Sequence, residues 1–231
     1  MKLSKRLQSI ANFVPENSIV ADIGTDHGYI PRYLIENNIS KLVIATDISQ
    51  GSLNKTINYV NELELENRII PRLGNGLEVI KKFEIDTVVI AGMGGILIRD
   101  ILDKDIKLTN SIIYFILQPM NAVKELREYL INNNFNIIDE DLVQEEEKFY
   151  EILFVTAGKE KVERGIYFEI SRKLIDKKHP LLKEYIQYKI NAALEILSSL
   201  KEQSSERSIQ RYDELNQLLE DYKEVLYLIE S

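Results

Sequence analysis

The 231-residue chain contains no cysteine and only two histidines, His27 and His179. The absence of cysteine excludes disulfide bonds, thiolate nucleophiles and every zinc site that uses Cys ligands. Two histidines are too few for a centre of several imidazoles, so we expect no bound metal. No apolar run approaches the ~20 residues that a membrane-spanning helix needs, and the basic start of the chain, Met1–Arg6, is not followed by a signal-peptide core. These absences predict a cytoplasmic protein without metal or membrane contact.

The overall charge gives a mixed indication about partners. Hydrophobic residues make up 45% and charged residues 29%, a balance typical of a globular chain with a sizeable core. The net charge of -8 weighs against a nucleic-acid partner. However, residues 164–189 hold seven Lys/Arg against three Asp/Glu, and local charge governs phosphate binding. This segment either meets a phosphate backbone or only keeps helix faces in water.

Short apolar runs alternate with amphipathic stretches through the first two thirds of the chain. A sheet that is mainly parallel and covered by helices produces this alternation. The last two predicted strands flank Glu145–Lys148 as an antiparallel hairpin, and Pro71 indicates a strand at a sheet margin. We predict strands at 18–24, 41–47, 68–73, 87–91, 112–117, 136–144 and 149–157, and helices at 3–14, 29–37, 52–63 and 123–132. The arrangement is typical of the α/β, Rossmann-like class I methyltransferase fold.

The character of the sequence changes near Gly158. From there to Ser231 no strand pattern is present, and two apolar stripes with helical spacing run from Leu182 to Leu200 and from Ile209 to Ile229. A short polar link, Gln203–Glu206, separates them, and Ser205 could cap the second helix. We therefore predict two domains, 1–158 and 159–231, the second ending in an α-helical coiled-coil hairpin.

The segment Ala21–Tyr29 carries the strongest local pattern. A buried strand enters a glycine-bearing turn and then a helix, so the backbone can approach a ligand closely. The dinucleotide pattern GxGxxG is absent, and Asp26 would repel a pyrophosphate. An acidic loop suits S-adenosylmethionine, which carries a sulfonium and an ammonium group, better than NAD. An ordinary strand-to-helix turn would give the same pattern.

Four further loops follow predicted strands and should share one edge of the sheet. Asp47 could accept hydrogen bonds from ribose hydroxyls, and Asn75 could bind an adenine amino group. The glycines of Gly92–Gly95 would leave room for a substrate, and the Asp/Asn-Pro-Pro-aromatic motif of many amino-group methyltransferases is missing there. Gln118 and Asn121 could hydrogen-bond a base edge, although Asn121 could instead cap the next helix.

Taken together, these motifs resemble the TrmK family of bacterial tRNA (adenine-22-N1)-methyltransferases. The resemblance rests on Leu3–Leu7, Ala21–Pro31, Gly76–Glu78, Ala91–Gly95 and Leu117–Pro119 and covers about residues 1–158. It implies S-adenosylmethionine as the methyl donor and tRNA as the substrate, with a helical C-terminal domain that helps to hold the tRNA. Family members often carry Asp at the position of Asn75 and Ala at the position of Gly28, and we expect both differences to be tolerated.

The motifs and the resemblance assign site residues in three groups. The cofactor-binding residues are Asp22, Gly24, Thr25, Asp26, His27, Gly28, Asp47, Ile48, Asn75, Gly76, Gly92 and Met93. The candidates for catalysis are Asp26, Tyr29, Gln118 and Asn121. The candidates for RNA binding are Lys5, Arg6, Arg164, Arg172, Lys173, Lys177, Lys178 and Lys183. We further expect the protein to act as a monomer.

Three alternatives remain open at the level of the sequence. A methyltransferase of the same fold could act on a small molecule or a protein, with the helical hairpin serving for dimerisation or partner binding. A binding module could keep the fold without turnover. A dehydrogenase that uses NAD is disfavoured because its phosphate-binding loop is missing.

Overall fold

The computed structural model describes residues 1–200 and 205–230, which divide into two compact units, Met1–Lys161 and Val162–Ser231. The division falls three residues beyond the boundary expected at Gly158. Within the described residues, no helix is long and apolar enough to span a membrane. Across the same ranges, no cluster of three or more His, Asp or Glu side chains is arranged to hold a metal ion.

The first unit is built on a seven-stranded sheet in the order β3-β2-β1-β4-β5-β7-β6. Neighbours from β3 to β5 are parallel, and β7 is antiparallel to both β5 and β6. Pro71 lies in the edge strand β3, as predicted. Proline has no N–H to donate, and it is tolerated in an edge strand because one side of that strand has no neighbouring strand. The strands are β1 Ser18–Ile23, β2 Ser40–Asp47, β3 Ile69–Leu73, β4 Thr87–Met93, β5 Tyr114–Pro119, β6 Phe135–Glu145 and β7 Lys148–Ala157.

Helices cover both faces of this sheet. Apolar residues of the first three helices pack with one face, and those of the next three pack with the other. The helices are α1 Lys5–Asn12, α2 Tyr29–Glu36, α3 Gln50–Glu62, α4 Gly95–Lys104, α5 Ile106–Thr109 and α6 Val123–Asn132, with a 3-10 helix at Gly76–Val79. The doubly wound α/β architecture predicted from the sequence is confirmed.

Two helices of the first unit and the 3-10 turn were not predicted from the sequence. α4 begins at Gly95, directly after the glycines that the sequence pattern indicated as an open loop. Its apolar residues Ile98, Ile101 and Leu102 are buried in the core. The glycines made this segment look like a loop in the sequence, because glycine is a poor helix former in a helix interior. Glycine is accepted at a helix N-terminus, which is where it lies here.

The described residues of the second unit form helices joined by short turns, with no strand among them. It contains α7 Ile166–Glu169, α8 Arg172–Asp176, α9 Leu182–Leu200 and α10 Glu206–Glu230. Lys183 near the start of α9 pairs with Glu230 at the end of α10 at 2.6 Å, so the two long helices run antiparallel. Ser205 accepts a hydrogen bond from the Ser208 N–H at 3.2 Å, which confirms the predicted cap. Gln203 and Ser204 of the predicted link lie outside the described residues.

Candidate active site

The loops that the sequence singled out lie at the carboxyl edge of the parallel strands. The N–H groups of Gly24 and Thr25, just beyond β1, donate to the carbonyl of Thr46 in β2 at 2.8 and 2.9 Å. The N–H of Asp26 donates to Oδ2 of Asp47 at 3.2 Å. Asp47 is buried, and its Oδ1 accepts from the N–H of Ser49 at 2.7 Å. The carboxylate of Asp47 therefore fastens the two adjacent loops together.

A second carboxyl, that of Asp22, lies one strand over and is also buried. Burial raises the pKa of Asp22 and the nearby charge of Asp47 raises it further, while the Thr25 hydroxyl lowers it, for a net value of about 6. Among residues 1–200 and 205–230, no Lys, Arg or His forms an ion pair with Asp22. A buried acid without a cationic partner favours a positively charged ligand, so this position fits the ammonium group of S-adenosylmethionine.

The turn before α2 is tightly packed. Gly28 has a φ of +66°, and a Cβ at this position would lie 2.5 Å from Cε1 of Tyr59 and 2.9 Å from Oγ1 of Thr56. The Tyr59 hydroxyl also donates to the Gly28 carbonyl at 3.0 Å. The side chains of this chain's own α3 thus fill the space beside Gly28, so an alanine here would require Tyr59 and Thr56 to shift.

Asp26, His27 and Tyr29 are exposed at the mouth of the same loop. The rings of His27 and Tyr29 are stacked with centroids 5.3 Å apart and planes 12° apart. Asp26 Oδ2 lies 3.4 Å from His27 Nε2, and Asp26 Oδ1 lies 3.2 Å from Nζ of Lys55. Sequence reasoning missed Lys55 and Tyr59, although their spacing of four on α3 places them on one face of that helix.

A cavity of about 440 Å³ opens beside the 3-10 helix, α4 and α5. Its lining includes Asn75, which the sequence assigned to adenine binding, and Gly76, which it assigned to the cofactor. The cavity is also lined by apolar residues, among them Leu77, Ile101 and Leu108, and by the charged Glu78, Asp100, Lys104 and Asp105. A volume of this order suits a small ligand, and apolar side chains together with polar groups can hold one. Asn75 itself is exposed.

The glycines after β4 do not act alike. Gly92 is exposed, whereas Gly95 is buried, and a Cβ there would come within 2.3 Å of the carbonyl oxygen of Ala122. The methyl of Met93 lies against Gly24, since a Cβ on Gly24 would be 2.3 Å from Cε of Met93. Gly92 thus fits the expected role of leaving room at the cleft, whereas Gly95 instead allows α4 to pack. Gly94 lies against the Asn121 side chain, whose Oδ1 would be 3.0 Å from an added Cβ.

The two candidates after β5 differ in exposure. Gln118 is fully buried, and its Oε1 accepts from Nη1 of Arg6 at 2.6 Å and from the N–H of Gly92 at 3.1 Å. This arrangement speaks against direct contact between Gln118 and a base. Asn121 is exposed, but Ala122 is the N-cap of α6 and no side chain caps it, so the alternative of Asn121 as the cap is wrong.

Several candidates for RNA binding in the second unit already have acidic partners. Arg164 pairs with Glu224 at 2.7 Å, and Arg172 pairs with Asp176 at 2.7 Å. Lys183 pairs with Glu230 as described above. Lys173, Lys177 and Lys178 belong to the same segment, in and just after α8. Exposed pairs of this kind are weak and exchange readily, so they do not prevent binding to phosphates.

Comparison with known proteins defines first the class and then the family. A family model described as a methyltransferase domain matches residues 3–153, which contain the first six strands, part of β7 and the loops at the strand ends. The tRNA (adenine(22)-N(1))-methyltransferase of Bacillus subtilis (strain 168) is 43% identical over 160 residues, covering 68% of this chain and 66% of that protein.

Solved structures extend the likeness to the full length. The B. subtilis tRNA methyltransferase TrmK is 33% identical with a TM-score of 0.89, over 97% of this chain and 99% of that one. TrmK of M. capricolum, in complex with S-adenosyl-homocysteine, is 30% identical with a TM-score of 0.85, over 99% of this chain and 100% of that one. The chain therefore belongs to the TrmK family, as the sequence motifs predicted.

Proposed function

We propose that this chain transfers a methyl group from S-adenosylmethionine to N1 of adenine 22 in tRNA. The observation that carries the proposal is the buried carboxyl of Asp22, which has no cationic partner among the described residues, beside Asp47 at the strand ends where a cationic adenosine cofactor would bind. Membership of the TrmK family supports the substrate, because the B. subtilis relative is named for methylation at this position. S-adenosylmethionine would supply an electrophilic methyl group carried on a sulfonium.

The residues assigned to the cofactor fit it in complementary ways. Asp22 would face the ammonium group, and Asp47 would accept hydrogen bonds from the ribose, since each carboxylate oxygen can accept more than one bond. Asn75 and Gly76, at the cavity, would border the adenine. Gly92 and Met93 would border the methionyl part, close to Gly24 and Thr25. The remaining members of the set, His27, Gly28 and Ile48, would shape the pocket wall.

Methylation at N1 of adenine places few chemical demands on the protein. N1 carries an in-plane lone pair and no proton, so no general base is needed. The protein must hold N1 in line with the methyl carbon and sulfur and exclude water from the gap. N1 lies on the pairing edge of the base, so a paired adenine would have to be extruded. The stacked His27–Tyr29 pair offers an exposed aromatic surface for the base.

Asp26 would act on the charge that the adenine acquires. The methylated ring is cationic, and a nearby carboxylate stabilises such charge as it develops. Lys55 and His27 hold the Asp26 carboxylate at the loop mouth, and Lys55 offsets part of its charge. Asn121, exposed after β5, is the candidate for hydrogen bonding to the base. Gln118 would act indirectly, through the residues that it contacts.

The tRNA backbone would meet basic residues of both units. Lys5 is exposed in the first unit, and the segment from Arg164 to Lys183 supplies the basic residues of the second. Contacts of this kind make affinity depend on salt concentration. We propose in addition that the protein acts as a monomer in the cytoplasm. Light scattering on the free protein and on its tRNA complex tests the monomer.

The experiment that tests the proposed activity combines purified protein, labelled S-adenosylmethionine and unmodified bacterial tRNA, followed by digestion to nucleosides. We expect N1-methyladenosine to carry the label. Label in a different methylated nucleoside would agree with S-adenosylmethionine as the methyl donor but contradict N1 of adenine as the methylated atom. Absence of label from tRNA, with donor binding confirmed by calorimetry, would favour a small-molecule or protein substrate, or a module without turnover.

A further inference from the structure

Arg6 is held at the first turn of α1 by residues of three strands. Its backbone N–H donates to Oε1 of Glu145 in β6 at 2.7 Å. Its guanidinium carbon lies 5.2 Å from the ring centroid of Tyr150 in β7. Its Nη1 donates to Oε1 of the buried Gln118 in β5 at 2.6 Å. With only 25% of its side chain exposed, Arg6 points into the protein, whereas its neighbour Lys5 is exposed.

The hydrogen bonds of Gln118 fix the orientation of its amide. Oε1 accepts from both Arg6 Nη1 and the Gly92 N–H, and Nε2 donates to the Pro119 carbonyl at 2.8 Å. A flipped amide would set Nε2 against two donors and Oε1 against a carbonyl, since a guanidinium can only donate. Arg6, together with the Pro119 carbonyl, therefore favours the one orientation of Gln118 in which the N–H of Gly92 has an acceptor.

Gly92 lies where the donor site would be. Its φ of +75° ends the regular part of β4, and the sheet register is irregular between Ala91 and Met93. The hydrogen bond to Gln118 holds this turn, and the Met93 carbonyl accepts from the Met120 N–H at 2.8 Å. Met93 in turn contacts Gly24. A continuous chain of contacts thus runs from α1 through Gln118 to the loop that would border the methyl donor.

We infer that Arg6 is a positioning residue of the methyl-donor site, which holds the Gly92–Met93 segment through Gln118, and not a contact to tRNA as its charge alone suggests. The inference rests on the proposed function, since it concerns the donor site of that activity. The role is indirect: Arg6 orders the amide, and the amide orders the backbone. Preorganisation of this kind strengthens binding because the segment is already in its bound arrangement.

The test compares Arg6→Met with Lys5→Met, the matched loss of a positive charge one residue away. Calorimetry gives the Kd for S-adenosyl-homocysteine, and filter binding over a salt series gives the Kd for tRNA. We expect Arg6→Met to raise the Kd for S-adenosyl-homocysteine about tenfold and to change the Kd for tRNA by less than about twofold. Lys5→Met should leave S-adenosyl-homocysteine affinity unchanged. Arg6→Lys, which keeps a charged donor, should restore part of the affinity.

A double-mutant cycle tests the route through Gln118. If Arg6 acts through that amide, the loss of affinity in Arg6→Met with Gln118→Ala should be no greater than in Gln118→Ala alone. Additive losses would overturn the inference. So would an Arg6→Met protein that binds S-adenosyl-homocysteine like wild type but loses tRNA affinity with a smaller salt slope. A wild-type protein that fails to bind S-adenosyl-homocysteine would overturn the proposed function, and the inference with it.

Discussion

At the scale of single residues, the ionised carboxyl of Asp22 is expected to bind the cofactor, but it lowers the stability of the free protein. Because its pKa in the folded protein is about 6, above the ordinary 3.8, the ionised form is disfavoured by folding. The stability contribution of the acid is thus fully present below pH ~3.8 and is lost as the pH rises through ~6. At about 1.4 kcal/mol per pKa unit, the loss at pH 8 is at most about 3 kcal/mol.

Asp22→Asn should therefore stabilise the free protein at pH 8 and have little effect on it at pH 4. The same substitution should lower the affinity for S-adenosyl-homocysteine at least tenfold, because the ligand's ammonium group loses its carboxylate partner. Thermal unfolding at the two pH values and calorimetry at pH 8 measure both effects. In wild type, affinity should fall as the pH decreases from 7 to 5. A destabilised variant with normal affinity would contradict this assignment.

Gly28 provides a second test at residue scale. Gly28→Ala places a side chain at a φ of +66° and against Tyr59, so we expect a loss of at least about 2 kcal/mol in unfolding free energy. Gly51→Ala is the matched control, because Gly51 lies in α3 and an added Cβ there would be in ordinary contact with Ser49 Oγ at 3.5 Å. Alanine there should stabilise by up to about 1 kcal/mol. Urea unfolding of both variants checks the contrast, and equal effects would refute it.

At the scale of elements, a buried charge cluster joins α6 to the β6–β7 hairpin. Arg127 of α6 pairs with Glu140 of β6 and Glu151 of β7, and all three side chains are almost fully buried. Desolvation lowers the pKa of the guanidinium, but the two carboxylates outweigh it and raise that pKa overall. The cluster is therefore held in its charged form, with the one guanidinium in contact with both carboxylates.

Arg127→Met should cost about 3–5 kcal/mol of unfolding free energy at pH 7, because two buried carboxylates lose the guanidinium that pairs with both. Urea unfolding measures the loss. The matched variant replaces Arg127, Glu140 and Glu151 together by apolar residues of similar size, and it should recover most of the stability. A triple variant as unstable as Arg127→Met would show that packing, not the unpaired charge, causes the loss.

Elements were predictable where one residue type carries a clear constraint. Pro71 indicated the edge strand, and the charged tip at Glu145–Lys148 indicated the hairpin. The sequence did not reveal that β7 lies between β5 and β6, because pairing order depends on contacts distant in sequence. It also hid α4 behind glycines. In the site, loops at strand ends were predictable from parallel topology, whereas Lys55 and the inward-pointing Arg6 reach the cleft from helices, which local patterns do not show.

At the scale of the whole molecule, the two units should divide the work. A protein ending at Lys161 should bind S-adenosyl-homocysteine within about twofold of the full chain but lose tRNA affinity at least tenfold at moderate salt. Donor binding itself reports whether the shortened protein is folded. Calorimetry and filter binding supply the two constants. Full tRNA affinity in the shortened protein would remove the helical unit from RNA binding.

The proposed reaction takes place at one atom of one nucleotide, and a pair of synthetic tRNAs can test that assignment. One carries adenosine at position 22, and the other carries 1-deazaadenosine there, which replaces N1 by C–H and otherwise keeps the base. With labelled S-adenosylmethionine, we predict one methyl group per molecule of the first tRNA and none on the second. Equal labelling of the two would place the reaction at another atom and contradict the assignment.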